Sequence, residues 1–103
     1  MTKILTIVAL PKVAYGNASV ARELFEGVAP RFQAIPGLRK KYFVGGTRSD
    51  GAYIWEDRVA AEGYHTPAWS DRMAKSYGAV PEVTHLDVRC VVADTTGKIQ
   101  FPE

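Results

Sequence analysis

Four short runs rich in β-branched and aromatic residues alternate with stretches of helical period, and that order leaves few architectures open. The runs are "KILTIVAL" (3–10), "LRKKYFVGG" (38–46), "AYIWED" (52–57) and "EVTHLDVRCVVAD" (82–94). Such runs between turn-forming residues read as strands. Between the first two, Ala21, Leu24, Phe25, Val28, Phe32 and Ile35 recur on one helical face over 18–35. "PKVAYGN" (11–17) reads as the preceding loop, and Asn17 as a cap whose side-chain oxygen accepts a free backbone N–H. Pro30 lacks that N–H, so the helix is expected to bend or break there; "PG" at 36–37 stops it. "TRSDG" (47–51) reads as a hairpin loop. The second helical region is split. Asp57 is placed to cap a short helix through Tyr64, and Thr66 followed by Pro67 opens another, which carries Trp69, Met73 and Tyr77 and ends at Gly78. "TTGKIQFPE" (95–103) reads as an irregular tail. The order βαββαβ predicts an α+β, ferredoxin-like fold, a four-stranded antiparallel sheet with helices on one face. At 103 residues, one such domain over 1–103 is expected.

Strand alternation adds a constraint. The first strand sets Ile4, Val8 and Leu10 on one side and Leu5, Ile7 and Ala9 on the other. The third sets Ala52 and Ile54 against Tyr53 and Trp55, and the last sets Leu86, Val88, Cys90 and Val92 against Val83 and Val91. Both faces are apolar, and helices can cover only one. A second copy of the sheet in a two-fold homodimer is the economical cover.

Composition excludes several classes of function. A net charge of +2 is too mild to imply a nucleic-acid or anionic-membrane partner. "RKK" (39–41) reads as a solvated strand start, because alternation separates Lys40 from Arg39 and Lys41. "GAYIWED" lacks the aromatic pattern that an RNA-recognition domain carries on its third strand. "GGTRSDG" joins two strands with no following helix, unlike a phosphate loop. Cys90 is the lone cysteine, so neither an internal disulfide nor a cysteine metal cluster is available. No apolar run reaches membrane-span length, and the N-terminal run lacks a signal-peptide pattern, so a cytoplasmic location is expected.

The stretches "APRFQAIPGLRKKYFVGG", "GAYIWEDRVAAEGYHTPAW" and "PEVTHLDVRCVVAD" resemble the YdhR-like monooxygenases of the dimeric α+β barrel superfamily, which also holds the antibiotic-biosynthesis monooxygenases. The resemblance runs in order over nearly the whole chain. It is most specific over 55–69, with Trp-Glu, a short helix, an aromatic pair and a tryptophan. It implies a dimer whose sheets close into a barrel, with a pocket between sheet and helices in each protomer. Several members oxidise aromatic or polyketide-like compounds with O2 and no cofactor; others isomerise, cyclise or dehydrate. The chain departs from the pattern at His65, where relatives carry the second aromatic of the pair as tyrosine. It departs again at His85, in a strand where an aromatic pair is usual.

Candidate site residues follow, each with two readings. His65 is either a loop histidine or a base. It precedes the helix opened by Pro67, whose positive end disfavours an imidazolium, so a neutral ring at a pocket mouth can take a proton from a phenol or enol. Lying outside a helix, it is expected to contribute little packing. Tyr64 and Tyr77 carry hydroxyls that need partners if buried, so one of them is expected to face the cavity. Trp69 and Met73, at helical spacing, are core residues that can also line an aromatic pocket. Tyr42 and Trp55, on neighbouring strands, pack the sheet or touch the substrate. His85, Asp87 and Arg89 alternate on one strand face, as a polar network across the dimer interface or, with His85 as base, a carboxylate-oriented histidine. No metal-ligand spacing is present. The function expected is a cofactor-independent monooxygenase, with O2 as co-substrate, acting on a small aromatic or polyketide-like molecule. The alternatives are an isomerase, cyclase or dehydratase in the same pocket, or a non-catalytic small-molecule-binding dimer.

Overall fold

The computed structural model describes residues 2–10, 18–45, 49–92 and 99–101. The elements run β1 (Ile4–Leu10), α1 (Ala18–Phe32), β2 (Leu38–Gly45), β3 (Ser49–Trp55), α2 (Arg58–Tyr64), α3 (Pro67–Tyr77), β4 (Glu82–Asp87), β5 (Val91–Val92) and β6 (Ile99–Gln100). The first four strands form one antiparallel sheet in the order β2-β3-β1-β4. This is the ferredoxin-like α+β arrangement that the order of periodicities predicts. The Asn17 cap and the loop at 11–17 lie outside the described residues.

Helix ends follow local chemistry. The Asp57 carboxylate accepts the Ala60 N–H at 2.8 Å, and Thr66 Oγ1 accepts the Trp69 N–H at 3.2 Å. Each satisfies a first-turn donor that the helix leaves open. Pro67 opens α3, and Gly78, at φ 73°, closes it in the left-handed conformation that glycine adopts without strain. Pro30 sits in the last turn of α1, which ends at Phe32, short of Ile35. The chain leaves through tight turns, with N–H groups of Gln33 and Ile35 donating to the carbonyls of Pro30 and Phe32, each at 3.3 Å.

Apart from β1, which begins one residue late at Ile4, the strand boundaries that differ from the sequence pattern are those of β3 and β4. β3 starts at Ser49, so Ser49, Asp50 and Gly51 of the expected hairpin loop are paired with both β2 and β1. Pairing on two sides outweighs the turn preference of Asp and Gly; the connection at 46–48 lies outside the described residues. β3 also ends at Trp55, because Asp57 is committed to capping α2. β4 ends at Asp87 although its apolar alternation continues, because its partner β1 begins at Ile4, opposite Asp87. Beyond that pair a single bond remains, from the Val88 N–H to the Lys3 carbonyl at 2.9 Å. Val91–Val92 instead pairs with Ile99–Gln100, inside the expected tail, as a separate two-stranded ribbon.

A bulge governs the faces of β2. Leu38 pairs with Trp55 and Lys40 with Ile54, so Arg39 is an extra residue. One inserted residue reverses the facing of everything after it. Lys41 and Phe43 therefore share the inner face with Leu38, while Tyr42 and Val44 turn outward. Opposed residues in the register point the same way, which places Ile4, Thr6, Val8, Tyr53 and Trp55 inward too. Ile4, Val8, Tyr53, Trp55, Ala61 and Trp69 form the buried core, with Phe32, Ile35, Leu38, Ala60, Tyr64 and Met73 against it. The outer face remains apolar and open: Ile7, Tyr42, Val44 and Leu86 are 37%, 50%, 46% and 45% exposed.

Candidate functional site

A cavity of about 420 Å³ lies between the inner face of the sheet and the helices. That volume suits a small organic guest. α1 contributes Leu24, Phe25, Val28, Arg31 and Phe32; α2 and α3 contribute Tyr64, Trp69, Met73 and Tyr77; the sheet contributes Lys41, Phe43, Asp50, Gly51 and Tyr53. Four expected site residues, Tyr64, Trp69, Met73 and Tyr77, are thus brought to one wall. They meet because the Thr66 cap turns the chain sharply between α2 and α3. Burial raises the Tyr64 hydroxyl above its ordinary value, with the Trp69 hydrogen bond and the Arg72 charge pulling the other way.

The remaining four lie elsewhere. Tyr42 stands on the outer face, on the far side of the sheet from the cavity, because of the Arg39 bulge. Trp55 is fully buried and stacks on Tyr53 with ring centroids 5.8 Å apart, packed in the core rather than facing the cavity. His65 is not at the pocket mouth. Its ring sits edge-to-face among Tyr53, Trp69, Tyr64 and Trp55, with centroids at 4.6, 4.6, 4.9 and 5.5 Å. Tyr53, Tyr64 and Trp69 of that cage line the cavity, so His65 lies behind its wall. Neither ring nitrogen has a hydrogen-bond partner among the described residues. Burial, then the nearby His85 and Lys41, lower His65 to about 3. The ring is neutral, as its place before α3 predicts, but desolvation rather than the helix end dominates. Such an imidazole is a weak base, and a ring held by four aromatics contributes packing after all.

His85 is hydrogen-bonded to the buried Thr6, Oγ1 to Nδ1 at 2.7 Å, and its ring centroid lies 5.7 Å from that of His65. Asp87 does not orient it. The Asp87 carboxylate accepts from Arg58 at 3.2 Å and pairs with Arg89 at 3.6 Å, both within the chain. Among the described residues no group of three His, Cys, Asp or Glu is placed to hold a metal.

Lys41 is the cavity-lining residue that alternation misses. Its Nζ stands 3.8 Å from the Tyr53 ring centroid, 4.5 Å from Phe43 and 5.3 Å from Phe32. Burial lowers it from 10.5 to about 8. The signal is Gly51, which reads as a loop glycine in sequence and becomes informative once β3 is seen to include it, because an isolated glycine in a strand marks close approach of a neighbour. A Cβ at Gly51 would collide with Lys41 Nζ.

No protein-family model matches the chain, and no curated protein matches it. Among solved structures the fold is similar to that of a monooxygenase from the ActVA-Orf6 gene of Streptomyces coelicolor, in complex with the ligand nanaomycin D. The two are 16% identical, with a TM-score of 0.61, over 89% of this chain and 92% of that one. Among the described residues no helix is long and apolar enough to cross a membrane. The chain has the fold of this monooxygenase, and the YdhR-like resemblance finds no counterpart in these comparisons.

Proposed function

We propose that the chain is a cofactor-independent monooxygenase of small, electron-rich aromatic or polyketide-like molecules, working as a homodimer. The observation that carries this reading is the aromatic-walled cavity of about 420 Å³ on the inner face of the sheet. The fold shared with a monooxygenase in complex with a small-molecule ligand supports it. Placing one atom of O2 in a product and reducing the other to water takes four electrons. Without a cofactor the substrate supplies them all, as when a phenol becomes a quinone. That requirement selects an electron-rich ring, and the Phe25, Phe32, Phe43, Tyr53 and Trp69 side chains form a lining suited to one. The open apolar outer face, with Ile7, Val44 and Leu86, supports a second sheet as its cover.

An oxygen electrode with a panel of naphthols and hydroxyanthrones tests the reaction. Protein-dependent O2 uptake with quinone formation is expected. Turnover that continues without oxygen points instead to isomerisation, cyclisation or dehydration, and tight binding with no turnover to a binding protein. Sedimentation at low micromolar concentration tests the assembly, and a folded monomer there refutes the dimer.

A further inference from the structure

We propose that Lys41 is the group that recognises and deprotonates the guest: the cavity takes a flat ring bearing an acidic hydroxyl, a phenol or an enol, and the Lys41 amine receives that proton and then pairs with the anion. The assignment rests on the cavity being a small-molecule site. Lys41 reaches it from β2 and ends among the faces of Phe32, Phe43 and Tyr53. A planar guest entering between those rings meets Nζ as a polar group on the cavity wall. Packing alone gives no reason for a lysine there, since burying its charge is unfavourable and ring faces offset only part of the loss. The neighbouring strand makes room for it, because the Nζ occupies space that any side chain at Gly51 would take. A group that is costly when charged, and open to a cavity, is suited to proton transfer. Burial also brings it to about 8, where amine and ammonium coexist close to neutral pH.

The other charged and titratable groups facing this region fit the role less well. Arg31 from α1 cannot accept a proton. The Tyr64 hydroxyl of α2 is raised, and His65 is lowered to about 3 behind the wall. Tyr53, Tyr77 and Asp50 also line the cavity; Asp50 is the alternative acceptor. In the step, the substrate O–H bond breaks with its electron pair left on oxygen. The proton forms a new N–H bond on Nζ, and the amine becomes ammonium. No electron changes hands.

The probes are 4-nitrophenol, whose anion is yellow, and 4-nitroanisole, which cannot ionise. At a pH where free nitrophenol is mostly protonated, Lys41 is already ammonium, so the wild-type protein should bind the anion against that charge, with appearance of the yellow band and release of the proton to solvent. At about pH 9, above the titration of Lys41, binding of the anion should take up a proton. Lys41→Met should lose the band and bind nitrophenol about ten- to hundredfold more weakly, with nitroanisole affinity unchanged. Lys41→Arg, which keeps the charge, should keep the band but take up no proton. Proton uptake that is lost in Asp50→Asn and kept in Lys41→Arg overturns the assignment. Should Lys41→Met not fold, the wild-type and Lys41→Arg titrations decide. A wild-type protein that binds neither probe overturns the cavity reading and this assignment together. One that binds both equally, with no band and no proton uptake, overturns this assignment alone.

Discussion

Lys41→Met is expected to make the protein more stable at neutral pH, and the gain is expected to vanish in alkali. Folding moves the lysine from water, where its ordinary value is 10.5, to a site where it is about 8. At pH 7 it is charged in both states, so the folded state carries the full desolvation cost. The shift corresponds to roughly 3 kcal/mol, since each unit is about 1.4 kcal/mol. Contact with three ring faces returns about 1–2 kcal/mol of attraction, which Met replaces only in part. The variant should therefore gain about 1–3 kcal/mol at pH 7, or several degrees in Tm for a domain of this size. Between pH 8 and 10.5 the unfolded wild-type chain holds a proton that the folded chain has released. Stability of the wild type then rises with pH, and the advantage of Lys41→Met shrinks toward zero. Urea unfolding of both proteins across this range measures the difference, in which the exposed amines cancel. A gap that stays constant with pH, or a variant less stable at pH 7, refutes the buried, depressed lysine.

Three further outcomes follow from the packing. His65→Ala should destabilise by roughly 1–3 kcal/mol, less than a fully buried truncation, because it takes a half-buried ring out of a four-ring cage. Since folding lowers His65 from 6.5 to about 3, its contribution is full above pH 6.5 and is lost as pH falls toward 3. Urea midpoints near pH 7 and near pH 5 should diverge more in wild type than in His65→Leu. Trp69→Ala removes a core residue that is also a cavity wall, so stability should fall by roughly 3–5 kcal/mol and ligand binding with it, read by melts and fluorescence titration. Gly37→Ala should cost at least about 1–2 kcal/mol, because Gly37 holds φ 80° and the Ala60 Cβ already occupies the space a Cβ would need; thermal melts check it.

Much of this was legible in the order of residues. Periodicity alone determines four strands and their intervening helices, because period-two and period-3.6 patterns cannot be exchanged without exposing the apolar set. The Asp57 and Thr66 caps, Pro67 and Gly78 are equally local, since each acts on backbone groups within a few residues. Hence Tyr64, Trp69, Met73 and Tyr77 are legible as neighbours, and the structure places all four on the cavity. Tertiary structure decided what depends on partners. β4 stops at Asp87 because β1 begins at Ile4, a limit that its own alternation cannot register. The neutral state of His65 was anticipated from the start of α3, but its burial comes from rings on β3, α2 and α3 closing around it. The Arg39 bulge mattered most. An unbroken alternation from Leu38 points Tyr42 into the pocket and Lys41 into water; one unpaired residue exchanges them. A bulge is set by how β2 must lie against β3 to bury Leu38 and Phe43 together, and only the assembled sheet holds that information.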